Sequence, residues 1–277
     1  MSNVFDTFDI KKYPLQKMNI NGAQIGYRKI GSGQPLLLIT GYGATMDMWA
    51  PELLRDLAEK YQLILFDNRG IACSTSDETS AFSIRLFADD AAKLLDGLGI
   101  KRAHVLGWSM GTYIAQELAL NYPLVVDKLI LHAGGPGGEE AIPPEPAASA
   151  ALADTSGTME EREARAFASL FPADWLMQNP CVSEYFPIPE IAATPAVMEP
   201  QLRALMSWSG SYSRLNQLIC EVLLISGTED VVVPLDNSRI IAEKLTTAWY
   251  IPIAGGGHGL MYQYPRKMAA TIGCFLD

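Results

Sequence analysis

Short apolar runs alternate along this chain with longer stretches of helical periodicity, and an α/β fold satisfies that alternation most simply. The runs cover residues 36–40, 63–66, 104–106, 128–131 and 222–225, and the first is closed by Gly41-Tyr42-Gly43. A run that is apolar at every position suits a strand covered on both faces, as in a parallel sheet. Helical patterns fall between the runs, over residues 49–61, 83–98 and 110–121. Strand and helix in alternation predict a mostly parallel sheet with helices on both faces. Upstream, residues 17–20 and 24–30 flank Asn21-Gly22. That dipeptide tolerates the positive φ angles of a two-residue turn, so a hairpin is expected there.

The rhythm stops after Ala133 and resumes at Val222. From residue 134 to residue 214 the chain holds ten of its seventeen prolines, eleven acidic residues, four arginines and no lysine, a net charge of −7. Prolines at this density cut a chain into short helices, here expected over 160–170 and 200–209. Phe167, Phe171, Trp175, Tyr185, Phe186 and Trp208 need a surface to bury against, which a free linker would not give them. The expected division is a core of residues 1–134 and 215–277, with 135–214 inserted as a helical lid over one edge.

With 277 residues, 49% of them hydrophobic and 19% charged, the chain has apolar material for a sizeable core and is no disordered polymer. A net charge of −10, without any run of lysine and arginine, argues against a nucleic-acid partner. No stretch approaches the roughly 18 apolar residues of a membrane span. The opening MSNVFDTFDIKKY has neither a basic cluster ahead of an apolar run nor a small-residue cleavage site. Cys73, Cys181, Cys220 and Cys274 are scattered, with no C-x-x-C pair, as reduced thiols would be. The expectation is a soluble cytoplasmic protein without a membrane partner, and nothing in the sequence fixes an oligomeric state.

The strongest chemical signal is Gly107-Trp108-Ser109-Met110-Gly111, which follows an apolar run and precedes a helical pattern. Between a strand and a helix, G-x-S-x-G makes a sharp turn that pushes the serine hydroxyl out at the end of the sheet. A serine hydroxyl is a weak nucleophile and needs a base held by a third group. Only His104, His132 and His258 can be that base. His104 lies a strand's length from the turn. His132 ends a strand and remains a rival. His258, in Gly255-Gly256-Gly257-His258-Gly259, sits in a flexible loop from which an imidazole can project freely, and is favoured. Asp230 follows the run 222–225 and is the favoured acid, with Glu229 and Asp236 as rivals. Other chemistries fare poorly. Gly134-Gly135-Pro136-Gly137-Gly138 comes too late for a dinucleotide fold, and Pro136 lacks an N–H to offer a phosphate. The histidines have no neighbours spaced as zinc ligands. No cofactor and no metal are expected.

The order Ser109, Asp230, His258 resembles that of the α/β-hydrolase superfamily, in particular its single-domain members with a lid between the sixth and seventh strands. The likeness covers about residues 17–134 and 215–277. Residues 37–43, LLITGYG, resemble the family's oxyanion loop, with Thr40 where a histidine is usual. By that resemblance the backbone N–H groups of Tyr42 and Met110 would bind the developing oxyanion, and Gly41 and Trp108 are candidate substrate-pocket residues. Trp108 stands where many relatives have histidine and could line the acyl pocket or pack behind the turn. Asp67-Asn68-Arg69-Gly70 resembles a turn of the family in which Asp67 and Arg69 would be structural. Ala72 replaces a glycine of that pattern, so the loop is expected to bend differently.

The resemblance implies a serine hydrolase that cleaves a carboxylic ester through an acyl-enzyme, its partner a small-molecule ester. The same residues would serve C–C bond hydrolysis of a diketone or a cofactor-free haloperoxidase. A non-enzymatic receptor is disfavoured by the complete set of three groups. The pentapeptide is also similar to that of esterases acting on a pimeloyl carrier-protein methyl ester. A carrier protein is anionic and needs a cationic docking face, whereas residues 135–214 are acidic. Arg162 and Arg165 are expected to pair with Glu160, Glu161 and Glu163 along a helix, although Arg203 and Arg214 could converge into a patch. Small or medium neutral esters are therefore expected.

Overall fold

The computed structural model describes residues 8–76, 81–154 and 156–277. Its strands are β1 (Gln16–Ile20), β2 (Ala23–Ile30), β3 (Gln34–Ile39), β4 (Tyr61–Phe66), β5 (Ala103–Trp108), β6 (Val126–His132), β7 (Glu221–Gly227) and β8 (Ala248–Ile253). They form one sheet in the order β1-β2-β4-β3-β5-β6-β7-β8. β1 and β2 are antiparallel to their neighbours, and every pair from β4 to β8 is parallel. The first two strands are joined by Asn21 at φ 48° and Gly22 at φ 78°, the pair of left-handed residues that a two-residue hairpin demands.

Among the described residues the α-helices are α1 (Pro51–Ala58), α2 (Ile84–Gly97), α3 (Met110–Asn121), α4 (Pro146–Ala153), α5 (Met159–Leu170), α6 (Ala173–Gln178), α7 (Val182–Tyr185), α8 (Pro195–Met206), α9 (Asp236–Lys244), α10 (Leu260–Gln263) and α11 (Pro265–Leu276). Alternate residues of the central strands feed two cores. Leu36, Leu38, Leu63 and Leu65 join Leu53 and Leu54 of α1 and Ile272 of α11 on one face. Leu37, Ile39, Ile64 and Phe66 join α2, α3 and Ile241 of α9 on the other. Both faces are thus covered, which is why these strands read as unbroken apolar runs. The connections from β3 and β5 lead to opposite sides of the sheet's midline. The crevice at their carboxyl ends is the place where such a sheet binds ligands.

Two helices have other bounds than the sequence reading expects, and one strand escapes it. The helix expected over 49–61 is only α1: Pro51, with φ preset by its ring, starts it, and Tyr61 already pairs with Gln34 as the first residue of β4. The helix expected over 200–209 is α8, which starts at Pro195 and carries Pro200 inside it. β8 has no run to betray it, because it is an edge strand with Trp249 41% exposed and Pro252 near its end.

Between β6 and β7 the chain makes α4 to α8. Its aromatic residues do find a surface: Phe171 stacks on Trp175, and Phe171 and Phe186 both contact Tyr262 of α10. Trp208 lies against Tyr113 of α3. The side chain of Tyr185 lies outside the described residues. Among those residues no helix is long and apolar enough to cross a membrane, and all four cysteines are unpaired.

Candidate active site

β5 ends at Trp108 and α3 begins at Met110, leaving Ser109 alone to turn the chain, at φ 56° and ψ −123°. A side-chain-bearing residue in that region is strained, and the surroundings must hold it there. They do so by close approach. A Cβ on Gly107 would meet the Gly111 carbonyl oxygen at 2.4 Å, and one on Gly111 would meet that of Ile39 at 2.1 Å. Both glycines are therefore obligatory at a turn this tight. The Ser109 N–H donates to the carbonyl of His132 at 3.0 Å, anchoring the turn to β6.

The structure brings Ser109, His258 and Asp230 together. The Ser109 hydroxyl lies 2.9 Å from His258 Nε2. His258 Nδ1 lies 2.9 Å from Asp230 Oδ2 and 3.2 Å from Oδ1. Asp230 is oriented in turn, because its Oδ1 also accepts the N–H groups of Val232 and Val233 at 2.9 and 2.8 Å. Asp230 and His258 are each 5% exposed, whereas Ser109 is only partly buried. The glycine-rich loop around His258 is not free, contrary to expectation. Its His258 carbonyl accepts the indole N–H of Trp108 at 3.2 Å, and Gly259 N–H donates to the carbonyl of Leu170 at 2.8 Å. Glycine here serves close packing: a Cβ on Gly257 would come within 2.5 Å of that same Leu170 oxygen.

Gly41 and Tyr42 follow β3 beside the serine. A Cβ on Gly41 would sit 3.0 Å from Ser109 Cβ, so this position faces the nucleophile directly. Among the described residues the N–H groups of Tyr42 and Met110 have no intramolecular acceptor. Thr40, where a histidine was the family pattern, turns its hydroxyl inward to the Ala44 carbonyl at 3.1 Å. Trp108 is 5% exposed and packs between Trp49, His258 and Tyr262. Its bond to the His258 carbonyl makes it a brace for the histidine loop.

The rival side chains do not reach the serine hydroxyl. His132 is fully buried, its Nδ1 on the Ile225 carbonyl at 3.2 Å, and burial pushes its pKa down to about 4. His104 is buried at the other end of β5, 3.6 Å from Asp127. Glu229 is exposed, and Asp236 is exposed and paired with Arg239. Asp67 and Arg69 do not touch substrate-side groups. Asp67 accepts the N–H groups of Met46 and Cys73, while Arg69 makes a buried two-pronged pair with Asp90 at 2.9 and 2.8 Å. Ala72 takes φ 43°, so the loop keeps a left-handed residue without a glycine and carries the strain at its Cβ.

The arginines between β6 and β7 pair differently from the expectation. Glu161 is committed to a capping box with Thr158, so Arg165 reaches back to Asp154, and Arg162 to the Thr158 carbonyl. Arg203 pairs with Glu199 and Arg214 with Glu117, on separate elements. Two contacts of this region with the site left no signal in the sequence: the Leu170 carbonyl on Gly259, and Gln201, whose Oε1 accepts the Gly43 N–H at 2.7 Å.

Comparison with known proteins identifies the fold. The family model described as the alpha/beta hydrolase fold matches residues 34–174. A Caulobacter sp. (strain K31) protein named carbamate hydrolase RutD is 31% identical over 246 residues, covering 88% of this chain and 91% of that one. A Mycobacterium tuberculosis (strain H37Rv) protein named non-heme bromoperoxidase BpoC is 30% identical over 254 residues, 90% and 95% of the two chains. Among solved structures, an alpha/beta hydrolase fold protein from Chitinophaga pinensis superposes with a TM-score of 0.81 at 24% identity, covering 97% of this chain and 99% of that one.

Proposed function

The chain belongs to the alpha/beta hydrolase fold family, and on that premise we propose that it is a serine hydrolase cleaving small or medium neutral carboxylic esters. The observation that carries this reading is the unbroken contact from Ser109 through His258 to Asp230. In the mechanism it supports, His258 Nε2 takes the hydroxyl proton of Ser109 as the oxygen attacks the ester carbonyl. The N–H groups of Tyr42 and Met110 stabilise the oxyanion of the tetrahedral intermediate. The intermediate collapses, the C–O bond to the leaving group breaks, and His258 returns its proton to the departing alcohol. Water then attacks the acyl-enzyme with His258 again as base, releasing the carboxylic acid and free Ser109. Asp230 holds the imidazole with its proton on Nδ1 and stabilises the imidazolium.

In this reading residues 1–134 and 215–277 are the catalytic core and 135–214 the lid over it. Arg203 and Arg214, each paired with its own carboxylate on a separate element, do not converge into a patch, which supports a neutral substrate over a carrier protein. A carbamate is the second reading, favoured by the name of the Caulobacter relative. The same attack would then give a carbamoyl-enzyme. A panel of p-nitrophenyl esters of increasing acyl length, with a phenyl carbamate beside them, separates the two. Ester turnover that is lost in Ser109→Ala is expected. Carbamate turnover well above every ester would favour the second reading, and turnover of either kind that persists in Ser109→Ala would refute both.

A further inference from the structure

One face of α8 carries Val197, Met198, Gln201 and Ala204, at helical spacing. That face lies on the loops that follow β3 and β4. A Cβ on Gly70 would meet Val197 at 2.8 Å, and one on Gly43 would meet the Met198 methyl at 3.1 Å. Beside them Gln201 is fully buried, and its Oε1 accepts the Gly43 N–H. Its other end, Nε2, is enclosed with no hydrogen-bond partner among the described residues. Burying an amide NH2 unpaired is unfavourable, and methionine or leucine would fill the space without that penalty. Packing does not account for the glutamine. The bond to Gly43 does.

Gly41 to Ala44 form a turn closed by the Ala44 N–H on the Gly41 carbonyl at 3.3 Å. Gly43 sits at φ 65° in its third position, the signature of a turn whose central peptide is flipped relative to the common form. That central peptide is Tyr42–Gly43, and Gln201 holds it by its N–H. Released, it could rotate, changing ψ of Tyr42 and φ of Gly43 and loosening the turn that the preceding Gly41–Tyr42 peptide enters.

We infer that Gln201 is a positioning residue for the reaction: by holding the Gly43 N–H it keeps the Gly41–Ala44 turn in the one form that leaves the adjoining Gly41–Tyr42 peptide, and with it the Tyr42 N–H, aimed at the developing oxyanion. This rests on the serine-hydrolase reading above. It makes the segment between β6 and β7 part of the catalytic apparatus. Docking of α8 completes the oxyanion loop while Leu170 holds the histidine loop from the opposite side.

The test is Gln201→Met, similar in size without the amide acceptor, measured against Gln201→Glu, which keeps an acceptor at the same place. Exposed Arg203→Gln on the same helix serves as control. Gln201→Met is expected to lower kcat for a p-nitrophenyl ester about ten- to a hundredfold, the scale of a misplaced oxyanion donor, with KM within about twofold. Fluorophosphonate labelling of Ser109 should slow by a similar factor. Gln201→Glu should keep at least about tenfold more kcat than Gln201→Met, and Arg203→Gln should match the wild type. A kcat for Gln201→Met within about threefold of wild type, a loss confined to KM, or a Glu variant no better than Met would overturn the inference. Should Gln201→Met fail to fold, Gln201→Leu takes its place under the same criteria. If the wild-type enzyme is not labelled at Ser109 at all, it is the serine-hydrolase reading that fails, a result distinct from any of these.

Discussion

Asp230→Asn is the substitution whose effect the geometry specifies most closely. The two oxygens of Asp230 have different partners. Oδ1 accepts the N–H groups of Val232 and Val233 at 2.9 and 2.8 Å, while Oδ2 faces His258 Nδ1 at 2.9 Å. An asparagine must put its single oxygen where the two N–H donors are, because its NH2 would otherwise oppose both of them. The NH2 then faces His258 and donates to Nδ1, which forces the imidazole proton onto Nε2. In that tautomer Nε2, 2.9 Å from the Ser109 hydroxyl, has no lone pair to accept the proton. A tautomer error of this kind lowers kcat by about 10⁴, equivalent to about 5.5 kcal/mol of barrier. The size and shape of the side chain hardly change, so thermal stability should stay close to wild type. The assay pairs kcat for a p-nitrophenyl ester with 15N NMR of the His258 ring at neutral pH. Turnover above about a tenth of wild type, or an imidazole still protonated at Nδ1, would refute the reasoning.

Ala72 is held at φ 43°, so Ala72→Gly should stabilise the fold by about 1 kcal/mol, raising Tm by a few degrees; a lower Tm would contradict the strain argument. His132 has its pKa pushed down to about 4 by burial, so the unfolded chain binds more protons than the native one between pH 4 and 6.5, and stability rises with pH across that window by up to about 3 kcal/mol. Asp67, raised to about 6 by burial, works in the opposite direction over much of the same range. Chemical denaturation of wild type and His132→Gln at pH 4.5 and 7 should therefore show the variant gaining relative stability at the lower pH, and equal differences at both would contradict the burial argument. A free methyl ester should be preferred over its carrier-bound counterpart in kcat/KM. A carrier preference of about tenfold or more that vanishes with added salt would overturn the electrostatic argument.

Much of the fold was legible because the central strands are covered on both sides and so carry no polar alternation: residues 63–66 and 222–225, short and bounded by turn residues, read as buried strands. The hairpin was legible because Asn21-Gly22 states its turn in two residues. Ser109 was singled out by the glycines around it, His258 by the scarcity of histidine and Asp230 by its place after an apolar run, and the structure brings the three side chains together. What escaped depends on contacts far apart in sequence. β8 is a half-exposed edge strand without a pattern. Thr158 and Glu161 do stand at the spacing of a capping box, a local signal that the pairing of Glu161 with an arginine overlooked. The glycines around His258 suggested freedom, whereas they are small so that Leu170 and Pro172 can press against them. Gln201 reaches Gly43 across 158 residues, and no local feature of either residue announces the pair.

The proposed mechanism stands on the acylation of Ser109 during turnover, which mass spectrometry can read directly. Enzyme mixed with a p-nitrophenyl ester is quenched in acid within the steady state and digested, and the peptide bearing Ser109 is weighed. This peptide should gain the mass of the acyl group, the adduct should decay once substrate is spent, and His258→Ala, lacking the base for both steps, should form no adduct on that timescale. An acyl group on any other residue, or turnover with Ser109 never modified, would contradict the mechanism.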